Sequence, residues 1–245
     1  FHTHRFRDLK SFYLGYICQH MRGDFPYQLS YNRFVERQAQ VALHLLLFLQ
    51  TCALGKCSGI SIIDSTPLAS CHIKRERQHR TMRGWAAKGK CTMGWFYGFK
   101  LHLVINDKGE IIQWKLTPGN VDDREPLKDK RFTQRLFGKL FADRGYISQN
   151  LFEMLFVDNI HLVTKIKKNM KNSLMSLYDK ILLRKRSVIE TVNDELKNVC
   201  QIEHTRHRSF DNFATNLIAG LIAYNLLPKK PEMNIEIIDK SRIIA

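Results

Sequence analysis

The sequence YGFKLHLVINDKGEIIQWKL, residues 97–116, indicates a β-hairpin near the middle of the chain. Residues 97–105 alternate between two sets of side chains, as strands with two different faces do. Residues 106–109, NDKG, have the composition of a tight turn, and residues 110–116 can pair back. We therefore predict two antiparallel strands joined by this turn.

Apolar segments on either side of the hairpin predict the rest of the fold. Further strands are expected at 61–64, 140–143 and 160–165. Helices are expected from Asp122 or Asp123, after Ser148, over 179–200 and over 210–227, where Pro228 ends the last one. The order strand, hairpin, helix, strand, helix, strand, helix predicts an α/β fold, a mixed five-stranded sheet flanked by helices. It is the order of a ribonuclease-H-like fold.

Three segments follow from this pattern. Residues 1–57 are predicted to form a small helical and basic N-terminal segment, with Ser30 capping one helix. This segment is either a DNA-binding unit or a helical layer packed on the main domain. Residues 58–227 form the ribonuclease-H-like domain, and residues 228–245 form a tail with little packing signal. Because the chain begins with Phe1, we expect that an N-terminal part is missing, which leaves open whether this copy is full-length and active.

The composition favours a polyanionic partner. The chain of 245 residues carries 39 Lys and Arg against 23 Asp and Glu, a formal charge of +16. Nucleic acid is the first candidate and an anionic membrane surface the second. The 44% of apolar residues exclude a wholly disordered chain. Six cysteines without C-x-x-C spacing indicate reduced thiols, and no apolar run is long enough to span a bilayer. We therefore expect a cytoplasmic protein with no membrane contact.

Three acidic residues are candidates for a metal site. Asp64 and Asp143 each end an apolar strand, and Glu190 lies on the helix predicted over 179–200. Arg186, Glu190 and Lys197 are spaced i, i+4 and i+11, which places them within roughly 40° of one another on an ideal helix. In the predicted sheet the first and fourth strands are neighbours, so their ends bring Asp64 and Asp143 together.

Such a group of carboxylates needs a cation. Two unit charges 4 Å apart repel by about 4 kcal/mol at an effective dielectric of 20. Oxygen ligands alone suit Mg²⁺, with Mn²⁺ as a substitute. Two such ions hold a phosphodiester, activate the attacking oxygen and stabilise the leaving one. Arg186 and Lys197 would then contact phosphate beside the scissile bond.

Five short motifs of the chain resemble those of the DDE transposases of bacterial insertion sequences. They are IDSTP (63–67), FYGFKLH (96–102), LTPGNVDD (116–123), ADRGY (142–146) and RSVIE (186–190). The resemblance implies a ribonuclease-H-like catalytic domain, two Mg²⁺ ions, cleavage at transposon ends and strand transfer into target DNA. It also implies that Asp64, Asp143 and Glu190 are the catalytic triad. Many relatives carry Tyr-x₂-Arg-x₃-Glu-x₆-Lys, and here Leu183 stands at the tyrosine position.

Residues 70–93 are predicted to form an irregular basic loop. Two basic clusters, one of them in this loop, are candidates for contact with DNA, the alternative being that they are solvated loops. They contain Lys74, Arg75, Arg77, Arg80, Arg83 and Lys88 in the first cluster, and Lys165 and Lys167 in the second. Because two transposon ends must be brought together, we expect a homodimer, and a bacterial transposase would associate with the nucleoid. Two other functions remain open. One is a nuclease of the same fold that acts on RNA or branched DNA, and the other is a non-catalytic DNA-binding protein derived from a transposase.

Overall fold

Six strands of the described residues form a mixed sheet at the centre of the protein. The structure is a computed structural model, and it describes residues 1–234 except 5, 7, 26, 93, 166–174 and 204–206. The strands are β1 (Ile60–Cys71), β2 (Ala87–Cys91), β3 (Gly94–Asn106), β4 (Ile111–Pro118), β5 (Gly138–Ala142) and β6 (Ile160–Thr164). Their order is β2-β3-β1-β5-β6, and β4 pairs with β3.

Strand directions match the predicted topology. β3 pairs antiparallel with β1 and with β4, so the hairpin is confirmed. β5 runs parallel to both β1 and β6. The α/β fold with a ribonuclease-H-like order is therefore confirmed, with one strand more than the five predicted. The added strand, β2, pairs antiparallel with β3 at the far end of the hairpin.

The described helices surround this sheet and connect its strands. They are α1 (Leu9–Phe12), α2 (Cys18–His20), α3 (Tyr31–Gln40), α4 (Ala42–Phe48), α5 (Lys130–Thr133), α6 (Gln149–Val157), α7 (Leu177–Lys185), α8 (Val188–Asn198) and α9 (Phe210–Asn225). A π-helical segment, Tyr13–Ile17, joins α1 to α2, and another, Leu49–Ala53, continues α4. The predicted caps are confirmed, because Ser30 and Ser148 accept backbone hydrogen bonds from Arg33 and Leu151.

Two apolar clusters cover the two faces of the sheet. Successive strand residues alternate between them, as Ile62 and Phe141 belong to one and Ile63 and Ala142 to the other. Residues from α7, α8 and α9 complete the first cluster, and residues from α5 and α6 complete the second. The sheet is therefore buried between two helical layers.

Three sequence predictions of local structure are wrong. Residues 70–93, expected as an irregular basic loop, contain the end of β1, a 3₁₀ helix (Ile73–Gln78) and β2. The helix expected from Asp122 or Asp123 is a 3₁₀ turn (Glu125–Lys128) followed by the four-residue α5. The helix expected over 179–200 is divided into α7 and α8, because the hydrogen bonds at the junction span three residues instead of four.

The N-terminal segment packs on the main sheet domain. Leu49 is fully buried in the first apolar cluster, beside residues of α9. The Asn225 side chain, at the end of α9, donates to the Ala53 carbonyl at 2.8 Å. These contacts agree with the helical layer considered from the sequence, while the boundary at residue 57 stays a prediction. None of the described helices combines the length and apolar character that a membrane crossing requires.

Residues 228–234 also pack on the domain. Met233 is buried, and its backbone N–H donates to the Asp107 carbonyl in the β3–β4 turn. The Lys185 ammonium, at the end of α7, donates to the carbonyls of Met233 and Asn234 at 2.6 and 2.7 Å. The described part of the predicted tail therefore connects the hairpin turn to α7.

Candidate functional site

The pairing of parallel strands brings two of the acidic residues side by side. β1 and β5 are in register through the pair Ile62–Phe141. Two residues further along each chain, the same register places Asp64 beside Asp143, on strands that run about 4.8 Å apart. Both carboxylates lie on the face of the first apolar cluster, because side chains two residues apart point the same way. That face is the one covered by α8.

Helix α8 contributes the third acidic residue, and Arg186 connects it to the strands. The Arg186 Nη2 atom lies 3.7 Å from Asp143 Oδ1 and 3.7 Å from Glu190 Oε1. The Arg186 side chain is only 13% exposed, whereas those of Asp143 and Glu190 are 55% and 63% exposed. The guanidinium therefore lies beneath two carboxylates that are open to solvent.

Asn193 is a member of the site that the sequence analysis missed. Its Nδ2 donates to Asp64 Oδ2 at 3.3 Å, and the residue is largely buried. It lies one turn after Glu190 on the same helix, so the two side chains share a face. A polar residue between the buried Val192 and Leu196 was the available signal, since a buried amide needs a hydrogen-bond partner.

Burial controls the protonation of Asp64. Loss of solvent raises the pKa of Asp64 to about 6 from its usual 3.8. A backbone hydrogen bond from Ser65 and the charge of Arg186 act in the opposite direction, while Asp143 and Glu190 add to the increase. At neutral pH the site therefore holds a partly buried carboxylate whose charge remains unfavourable despite the nearby Arg186.

Replacing Asp64 by Asn should stabilise the metal-free protein at neutral pH. The folded-state pKa lies above the unfolded one, so the folded protein loses stability as pH rises from 3.8 to about 6. Removing the charge should therefore increase the free energy of unfolding by up to about 3 kcal/mol at pH 7.5, and by about 0.5 kcal/mol or less at pH 4. Urea unfolding with a chelator, at both pH values, measures this difference.

Asp24→Asn is the control for that experiment, because it removes one negative charge at an exposed position. It should leave the free energy of unfolding nearly unchanged at both pH values. If Asp64→Asn fails to stabilise the protein at pH 7.5, the charge on Asp64 is not unfavourable in the folded state.

The carboxylates have the right chemistry for a metal ion but not the final arrangement. Among the described residues, no group of three or more His, Cys, Asp or Glu side chains could hold a metal ion as it stands. The Arg186 guanidinium lies 3.7 Å from both exposed carboxylates. A donor set made of carboxylate oxygens alone fits a hard divalent cation. The types of donor atom at this site therefore fit such an ion.

The predicted DNA-contact residues differ in their freedom to bind a phosphate. Those of the first basic cluster are all exposed, namely Lys74, Arg75, Arg77, Arg80, Arg83 and Lys88. Lys165 is exposed and follows Thr164, which pairs with Ala142, so it lies beside Asp143. Lys167 lies outside the described residues.

Lys197 is engaged within the protein. Its ammonium donates to the Pro67 carbonyl at 2.9 Å, and it lies 3.4 Å from a Glu203 carboxylate oxygen. The side chain is 17% exposed. Lys197 therefore ties α8 to β1 just beyond Asp64, and these contacts would have to break before it could reach a phosphate.

The mixed sheet and the acidic residues along two of its strands and one helix define a ribonuclease-H-like domain. Residues 54–210 match the family described as "Transposase DDE domain". The chain belongs to this family of DDE transposases, which confirms the resemblance noted in the sequence. Transposases of this family use divalent metal ions. A search of curated proteins found no match.

Two solved structures show a distant likeness to the chain. One is the crystal structure of the Mos1 strand transfer complex, with 13% identity, a TM-score of 0.28, and coverage of 82% of this chain and 61% of that one. The other is the catalytic domain of the Mos1 mariner transposase, with 13% identity, a TM-score of 0.23, and coverage of 82% and 94%. Both TM-scores are too low for the likeness to carry an argument.

Proposed function

We propose that the protein is a DNA transposase that cleaves phosphodiesters at transposon ends and joins the freed 3′-hydroxyl to target DNA. One observation carries this proposal beyond family membership. Carboxylates from β1, from the residue after β5 and from α8 gather on one face of the sheet around Arg186. A like-charged group of this kind, in a chain with a formal charge of +16, fits metal-dependent chemistry on a polyanion.

In this proposal Asp64, Asp143 and Glu190 are the catalytic residues and bind two Mg²⁺ ions, for which Mn²⁺ can substitute. When bound, the ions supply activation of the attacking oxygen and stabilisation of the leaving one. Asn193 orients the Asp64 carboxylate through its hydrogen bond. Asp143 and Glu190, which are exposed, face the side from which DNA would approach.

The proposed partner is DNA, both the transposon ends and the target. Arg186 and Lys165 would bind phosphates near the scissile bond, and Lys197 would do so if it were released. Lys167, which lies outside the described residues, is also proposed to bind DNA. The exposed first basic cluster, Lys74 to Lys88, would bind DNA farther from the scissile bond. We also propose a homodimer that holds two ends together, in the bacterial cytoplasm and associated with the nucleoid.

A cleavage assay tests this function directly. The substrate is duplex DNA that carries the sequences flanking the coding region, incubated with the protein and Mg²⁺. We expect nicks at defined end positions, strand-transfer products joined to target DNA, and loss of both when a chelator removes the metal. Cleavage of RNA or branched DNA without strand transfer would instead identify another nuclease of this fold. Salt-sensitive DNA binding without any metal-dependent cleavage would identify a non-catalytic DNA-binding protein.

A further inference from the structure

Arg186 lies beside two of the carboxylates that the proposed function assigns to metal binding. Its guanidinium contacts Asp143 and Glu190 at equal distances of 3.7 Å. The arginine is the least exposed of the three side chains, although it is the longest and could reach solvent by extending. A cation is therefore already present among the carboxylates.

The two contacts are close enough to hold the carboxylates but too long to be strong. A separation of 3.7 Å lies beyond hydrogen-bond distance, so neither pair has the bidentate geometry that makes Arg–carboxylate pairs tight. Each carboxylate is also more than half exposed, which weakens the attraction further. Within the described part of the chain, Arg186 is thus held by charge rather than by a fixed hydrogen-bond network, and a divalent ion can compete with it.

We propose that Arg186 is a place-holding cation for the metal site. It keeps Asp143 and Glu190 together before metal binds, withdraws when a divalent ion takes its place, and is then free to bind a DNA phosphate. This inference rests on the proposed function. It makes metal binding and DNA binding mutually dependent, because one event releases the residue that the other needs.

The test compares wild-type protein with Arg186→Gln, which has no positive charge. Metal affinity is measured by titrating Mn²⁺ into the DNA-free protein, and DNA affinity is measured in Ca²⁺ or in a chelator. We expect Arg186→Gln to bind Mn²⁺ about tenfold more tightly, because the competing cation is gone. Wild-type protein should bind DNA about tenfold more tightly in Ca²⁺ than in chelator, and Arg186→Gln should gain about twofold or less.

In chelator the two proteins should bind DNA with affinities within about twofold of each other, because Arg186 is then occupied. Arg184→Gln is the matched control, since it removes an exposed arginine near the end of α7. It should leave Mn²⁺ affinity unchanged and alter DNA affinity equally in Ca²⁺ and in chelator. Arg186→Lys keeps the charge and should show an intermediate Mn²⁺ affinity, which provides a test if the glutamine variant does not fold.

Several results would overturn the inference. Equal loss of DNA affinity with and without Ca²⁺ in Arg186→Gln would mean that Arg186 is free before metal binds. An unchanged Mn²⁺ affinity in Arg186→Gln would mean that Arg186 does not compete for the site. If only Arg186→Lys folds, a Mn²⁺ affinity equal to that of the wild-type protein would have the same meaning. If wild-type protein binds no Mn²⁺ at all, the proposed function itself fails, which is a different outcome from a failure of the place-holding role alone.

Discussion

Asp143→Asn should lower Mg²⁺-dependent nicking of transposon-end DNA by about a thousandfold. Loss of one charged metal ligand removes several kcal/mol of transition-state stabilisation, and about 4 kcal/mol corresponds to that factor. In a chelator, DNA binding should not weaken by more than about twofold, because the substitution removes a negative charge and leaves the basic surface intact. The side chain is 55% exposed, so asparagine should not disturb the core. Gel assays of nicking, together with measurements of DNA affinity, give both quantities.

Asp194→Asn is the matched control for this experiment. Asp194 lies on α8, as Glu190 does, but it is exposed and accepts a hydrogen bond from Asn198 at 2.6 Å. It should therefore keep nicking within about twofold. Nicking that persists in Asp143→Asn would remove Asp143 from the proposed catalytic site.

Asn225→Ala should lower the free energy of unfolding by about 3 kcal/mol. The Asn225 side chain accepts from the Ile111 N–H at 2.9 Å and donates to the carbonyls of Ile111 and Ala53 at 2.9 and 2.8 Å. Each hydrogen bond contributes about 1 kcal/mol, and alanine leaves the backbone groups without these partners. Urea denaturation measures the effect.

The same substitution tests how the N-terminal segment is attached. Asn225 is a direct link between Ala53 and the first residue of β4, so its loss should make residues 54–59 easier for a protease to cut. Asn150→Ala, at an exposed position of α6, should change neither stability by more than about 0.5 kcal/mol nor the cleavage pattern. A loss of less than about 1 kcal/mol in Asn225→Ala would show that this link contributes little to stability.

The central strands could be predicted because both their faces are buried. The alternation of residues 97–105 and the apolar run at 140–142 both indicate strands, and turn residues mark the ends of these strands. β2 could not be predicted in this way, since Lys88 and Lys90 alternate with Ala87 and Gly89 and give no apolar signal. β2 is formed by backbone pairing with β3, which its side-chain pattern does not indicate.

The acidic site could be predicted in part, for a related reason. Asp64 and Asp143 follow apolar strand residues, so strand order alone brings them together. The break between α7 and α8 could not be predicted, because residues 186 and 187 have no proline or glycine to mark it. The roles of Asn193 and Lys197 depend on which atoms of β1 lie opposite α8. The packing of the helix on the strand decides this, and it cannot be predicted from residue spacing along the helix.

Residues 228–234 have a practical consequence for anyone who shortens this chain. A protein cut after Pro228 would lose the buried Met233 and both carbonyls that receive the Lys185 ammonium. Lys185 is the residue directly before Arg186. A truncation chosen to trim a seemingly dispensable end would therefore loosen the support of the arginine at the acidic cluster, more than forty positions away in sequence.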